Sequence, residues 1–285
     1  MFIRILNPVL MILFGLGVGV IVARQREVEW KLYGAGALIF IGSQVLHIPF
    51  NAWVLNPLVG KISSSLTGSG ALLVTSIALG VSAGVFEETF RYVGYRFWVK
   101  EARRWKDGLM FGAGHGGIEA ILVGLYTLVT VIYIFSLSGK DLKTIIPADQ
   151  LFLAQQQIDA FWALPWYAVL LGALERAIAI CFHLAASVLV LQVFRRKNIV
   201  WLFAAIGLHT VLDALAVYVS QIWGPYATEG VLAVFALFCV GIIFMLKTSD
   251  DSEEASEPVV FAPEIEQTPL PYLGTTERLE ESKYE

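Results

Sequence analysis

The stretch GALLVTSIALGVSAGVFEETFRYVGYRFWV, residues 70–99, decides the fold class. It is apolar and long enough to cross a bilayer, which takes roughly 20 residues of helix. Yet Glu87, Glu88 and Arg91 lie inside it. Ionisable groups in hydrocarbon are costly, and they are rare there unless they work. The same mixture recurs in FGAGHGGIEA (111–120), in Phe182-His183 and in HTVLD (209–213). All four histidines of the chain, His47 included, fall in such stretches. The pattern points to an intramembrane active site or an ion path.

Composition agrees. Of 285 residues, 57% are hydrophobic and only 15% charged. The mean hydropathy of +0.69 excludes an ordinary soluble domain. Cys181 and Cys239 both sit in apolar runs, so neither a disulfide framework nor a Cys-based zinc motif is available. From Thr248 to Glu285 there are 11 acidic and 2 basic residues. Taking that −9 from the total of −4 leaves the preceding residues at +5.

Seven apolar stretches are candidate spans: 3–23, 32–51, 70–99, 108–137, 164–194, 199–222 and 229–247. Lys and Arg follow spans one, three and five and end span seven, whereas the other connections are poor in them. By the positive-inside rule the N-terminus is out and the C-terminus in. All eight tryptophans fall at predicted span ends, as an aromatic belt requires. Span one reads as a retained helix rather than a signal peptide, and its Gly15 and Gly19 as a packing face. QLFLAQQQIDAFW, in the 138–163 connection, suits a helix lying in the outer interface. The expected architecture is therefore an all-α polytopic protein of the cell membrane. It has a bundle of about seven transmembrane helices over residues 1–247 and a disordered acidic cytoplasmic tail over 248–285.

The polar residues converge in depth. At about 1.5 Å of rise per residue, Glu87 lies roughly 20 Å from the nearest basic loop, His115 roughly 13 Å and His183 and His209 roughly 18 Å. Asp213 and His47 lie roughly 24 Å deep on the same scale. His115 being nearest, the layer is expected to open to the cytoplasmic side. Glu87–Arg91, His115–Glu119, His183–Ser187 and His209–Asp213 are all i,i+4 pairs, each sharing one helix face. Glu87 and Glu88 diverge by about 100°, so one faces the site while the other pairs with Arg91 or a neighbouring helix. Glu175 and Arg176 read as a local ion pair.

Glu87-Glu88-x-x-Arg91, Phe111-x-x-x-His115 and His209-x-x-x-Asp213 resemble, in order, the motifs of the CPBP family, the membrane CAAX-type proteases and bacteriocin-processing enzymes. FEE-x-x-R and GHGG-x-E are similar to its YhfC-like branch of intramembrane metalloproteases. The resemblance covers about 85–215 and implies a catalytic core there. Two features depart from the wider family. Arg91 follows the Glu pair one residue sooner, which leaves open whether Glu87 or Glu88 takes the catalytic place. Asp213 stands where that family has Asn. An ionised Asp donates no hydrogen bond to an oxyanion, but it can bind a metal or hold His209 in one tautomer.

The chemistry implied is hydrolysis of a peptide bond by Glu/His-activated water. Glu87 or Glu88 is the base, helped by His115, and His209 with Asp213 or a metal stabilises the oxyanion. Arg91, Glu119 and His47 support the site. His115, His183 and His209 are the candidate metal ligands, and Zn²⁺ is the metal their nitrogens suit. The expected partners are membrane lipid and a membrane-associated peptide or protein substrate, with no nucleic acid. The competing readings are a proton-coupled transporter, against which the absence of a repeat counts, and a non-enzymatic scaffold or immunity protein. The bland alternative for each polar residue is a salt bridge or hydrogen bond between helices.

Overall fold

The computed structural model describes residues 1–247, so the acidic tail expected over 248–285 lies outside the described residues. Helix α1 (Phe2–Arg26) closes on Glu27 in the left-handed conformation, whose N–H bonds the Ala23 carbonyl. Arg24 and Arg26 fill its last turn, where cations oppose the helix dipole. Next come α2 (Trp30–Phe50), α3 (Asn56–Ser63), α4 (Ser69–Val93) and α5 (Trp105–Leu137). Asp107 starts α5 by accepting the Arg104 backbone N–H at 3.0 Å, the acidic half of a capping box. Then follow α6 (Leu151–Ala163), the single turn α7 (Trp166–Val169), α8 (Leu171–Arg195), α9 (Val200–Trp223) and α10 (Pro225–Met245).

Seven of these helical stretches are long and apolar enough to cross a membrane, and there is no strand among the described residues. Two boundaries differ from the sequence expectation by four residues or more. The second span does not stop at 51: a π-helical turn, Asn51–Leu55, carries it into α3. Pro57 follows directly on this π-helical turn, in the first turn of α3. The last span begins at Pro225, directly after Gly224 at φ 77.

Helix α8 is the axis of the bundle, with 72% of its apolar window buried. Helix α5 packs on α1, α2 and α8, α4 packs on α9 and α2, and α10 closes over α8 and α9. The α2–α5 crossing is close because it uses glycine. A Cβ at Gly114 would lie 2.0 Å from the Tyr33 carbonyl oxygen. This crossing fixes the height at which α5 presents His115.

Candidate active site

Five helices bring polar side chains to one buried layer. From α4, Glu87 and Glu88 leave on different faces, as 100° per residue requires. Glu87 turns toward α2 and α5. Its Oε1 accepts the Gln44 amide at 2.8 Å and its Oε2 lies 3.1 Å from His115 Nε2. His115 Nδ1 is buried with no partner. Helix α8 reaches this level because Gly116 leaves room for His183: a Cβ there would lie 2.9 Å from the ring.

Glu88 turns toward α9 and has no solvent exposure. It accepts Arg91 Nε at 2.9 Å and lies 2.9 Å from His209 Nδ1. Being an acceptor there, it requires Nδ1 of His209 to carry the hydrogen. His209 Nε2 is then left facing Glu87 at 4.0 Å and Asp213 at 3.6 Å. The tautomer of His209 is thus set by Glu88, and Asp213 stands beyond hydrogen-bond reach of the ring.

Arg91, fully buried, also donates to the His183 carbonyl and meets His183 Nδ1, both at 3.2 Å. A guanidinium has no acceptor, so the ring accepts there and Nε2–H faces Glu119 Oε2 at 2.5 Å. Glu119 is held in turn by Arg176, which also pairs with Glu175.

Glu87, His115 and His183 each offer a ligand atom, and these atoms lie within 4.8 Å of one another. One carboxylate and two imidazoles are a donor set that catalytic zinc accepts. The orphaned Nδ1 of His115 shows that this ring has bonding capacity to spare. His183 is engaged at both nitrogens, so to hold a cation it would have to release Arg91 or pass its Nε2 proton to Glu119. The residues fit a divalent metal in type and spacing.

His209, expected among the ligands, stands beside this triad and joins it through Glu87. His47 is one turn along α2 from Gln44. It accepts from the Asn51 amide at 2.9 Å and stacks on Phe86 rather than meeting the triad. Two site residues were not singled out as such from sequence. Gln44, an amide within a span, was itself a signal. The sequence pairs Arg176 with Glu175 alone, and nothing along the chain points to its second partner, Glu119.

Glu87 and His183 of the triad line a narrow cavity of about 100 Å³, together with Glu119, Glu175, His209 and Asp213. Its open end is marked by Asp213 and Glu175, whose side chains are 37% and 45% exposed. On the opposite side Ala185, Ala186, Ser187, Val188 and Val190 of α8 have no exposure. The layer therefore opens away from the Lys/Arg-rich loops and not toward them, contrary to the depth estimate. Depth along one helix does not report which neighbouring turns are packed shut.

The model of a family described as "YhfC intramembrane metalloprotease" matches residues 10–236. The chain belongs to the YhfC family. The match starts well before residue 85 and takes in α2, which supplies Gln44. The chain is also 33% identical over 239 residues to the "Uncharacterized membrane protein YhfC" of Bacillus subtilis (strain 168). That alignment covers 80% of this chain and 90% of the relative. No solved structure matches. The relative's description and the seven spans make the chain a multi-pass membrane protein.

Proposed function

We propose that the chain is an intramembrane metallopeptidase that hydrolyses a peptide bond in a membrane-associated peptide or protein. The observation that carries this reading is the Glu87–His115–His183 cluster, buried at one level of a spanning bundle, with Glu87 and His183 lining a polar cavity. These three residues would hold the metal, with zinc the ion their donors suit. When bound, a metal supplies Lewis-acid chemistry at that point.

The remaining steps belong to the chain's own side chains. Gln44 fixes the Glu87 carboxylate from the α2 side. Glu88 and Arg91 hold His209 with Nε2 turned to the cavity, 4.0 Å from Glu87. His209 is then placed to move a proton between water and the leaving amine, as a general acid–base group must. Asp213 supports the charge that His209 gains. The packed turns of α8 exclude water from the side opposite the entrance, which strengthens every electrostatic contact inside.

The test is cleavage of a panel of single-span peptides by the purified protein in lipid nanodiscs, with products identified by mass spectrometry. Cleavage that stops with chelator, returns with added zinc and is missing in His115→Ala supports the reading. Cleavage insensitive to chelator, or equal in His115→Ala, rejects it. If the panel stays intact while the protein conducts protons across the bilayer, the transporter reading replaces it.

A further inference from the structure

Outside the active-site layer, a cavity lies between the end of α5, the 138–150 connection and α6. Its volume is about 700 Å³. Cavities that hold small ligands run from about 300 to 1,000 Å³. The floor is apolar, with Leu137, Ile158 and Trp162, and the mouth carries Lys140 and Lys143.

The packing of α6 leaves this space open. The helix buries none of its residues. Leu151, Ala154, Ile158 and Phe161 form a half-buried inner stripe, while Phe152 and Leu153 are 81% and 56% exposed. Its C-terminal end is pinned by Arg4 of α1, which donates to the carbonyls of Phe161, Trp162 and Leu164 at 2.8, 3.0 and 3.1 Å. Leu151 and Ile158 of the inner stripe line the cavity. Exposed Phe152, Trp166 and Tyr167 set this region at the level where aromatic side chains meet headgroups. At that level an apolar hollow is filled by acyl chains in preference to water.

The charge selects among lipids. Lys140 and Lys143 are both exposed, at the bundle end that is otherwise poor in basic residues. The intervening Asp141 is committed to the turn Leu142–Thr144, where its carboxylate accepts the Lys143 backbone N–H at 3.1 Å. We propose that this cavity binds one phospholipid with an anionic headgroup, its acyl chain against Ile158 and Trp162 and its phosphate between Lys140 and Lys143.

Trp162 reports occupancy directly. The protein is placed in phosphatidylcholine nanodiscs containing a small fraction of brominated phosphatidylglycerol or brominated phosphatidylcholine. The Trp162 signal is taken as the difference between wild type and Trp162→Phe. Brominated phosphatidylglycerol should quench it at a fraction lower than brominated phosphatidylcholine by roughly ten-fold or more, since two basic groups contribute. Each of Lys140→Gln and Lys143→Gln should weaken that preference by roughly five-fold, the effect of one basic group beside anionic lipid. Both lysines are exposed, so the variants should fold. Equal quenching by the two lipids, or a preference that survives both substitutions together, overturns the proposal.

Discussion

His209 Nδ1 meets Glu88 Oε1 at 2.9 Å, and this contact between α9 and α4 gives the two adjacent glutamates different tasks. Glu88 is locked between Arg91 and His209 without exposure, whereas Glu87 faces Gln44, His115 and the cavity.

The first prediction separates them by stability. Glu88→Ala leaves Arg91 buried without its charge partner, a loss of roughly 3–5 kcal/mol. Glu87→Gln keeps hydrogen-bonding atoms beside Gln44 and His115 and should cost less than about 1.5 kcal/mol. Denaturant unfolding in micelles measures both, and equal losses would remove the assigned division of labour.

Glycine substitutions test the α2–α5 crossing. In Gly114→Ala the new methyl would meet the Tyr33 carbonyl at 2.0 Å, so the helices must part. Overpacking of this kind costs roughly 1–3 kcal/mol or more. Gly34→Ala, also within a helix, meets nothing within 4 Å. It should be neutral or stabilise by roughly 0.5–1 kcal/mol. The unfolding temperature should fall in Gly114→Ala and hold or rise in Gly34→Ala; an equal fall in both, or no fall in Gly114→Ala, would contradict the crossing described.

The seven spans were readable from sequence because a bilayer demands a fixed length of apolar helix, and that demand is local. Glu87, His115, His183 and His209 were readable because charge in hydrocarbon stands out residue by residue. The partnerships were not readable. Arg176 pairs with Glu119 across 57 residues, and Gln44 with Glu87 across 43, through the rotation of one helix against another. Hydropathy carries no information on that rotation when helices are apolar on every side. The extension of α2 into α3 was hidden for a related reason. Asn51, Asn56 and Pro57 look like a terminus, and a π-helical turn absorbs them instead.

Glu119 and Arg176 act on the site through His183. Under the proposed function, Glu119→Gln and Arg176→Met should each lower metal affinity by roughly 10–100-fold, the usual effect of losing a group that orients a ligand. Competition with a chromophoric chelator reads this without any cleavage assay. Unchanged affinity in both variants would make the Glu119–Arg176 pair a structural bridge only.

The entrance predicts a labelling pattern. Cysteine at Ala216, which lines the cavity, should react with a water-soluble maleimide. Cysteine at Ser187, buried with no exposure, should not. If the chain follows the positive-inside rule, the reactive face lies outside. A membrane-impermeant reagent should therefore label Ala216→Cys in intact cells. Labelling at position 187 in preference to 216 would reverse the assigned opening.

Metal content of the purified protein is the most direct measurement of all. Elemental analysis after expression with zinc and passage over a desalting column should find about one metal ion per chain in wild type. Each of Glu87→Gln, His115→Ala and His183→Ala should lose most of it, since removing one of a small set of ligands opens the site. His209→Gln should keep the metal while losing cleavage, and His47→Ala should keep both. A wild-type chain that retains no metal, or retention unchanged in all three ligand variants, would contradict the reading of this cluster as a metal site.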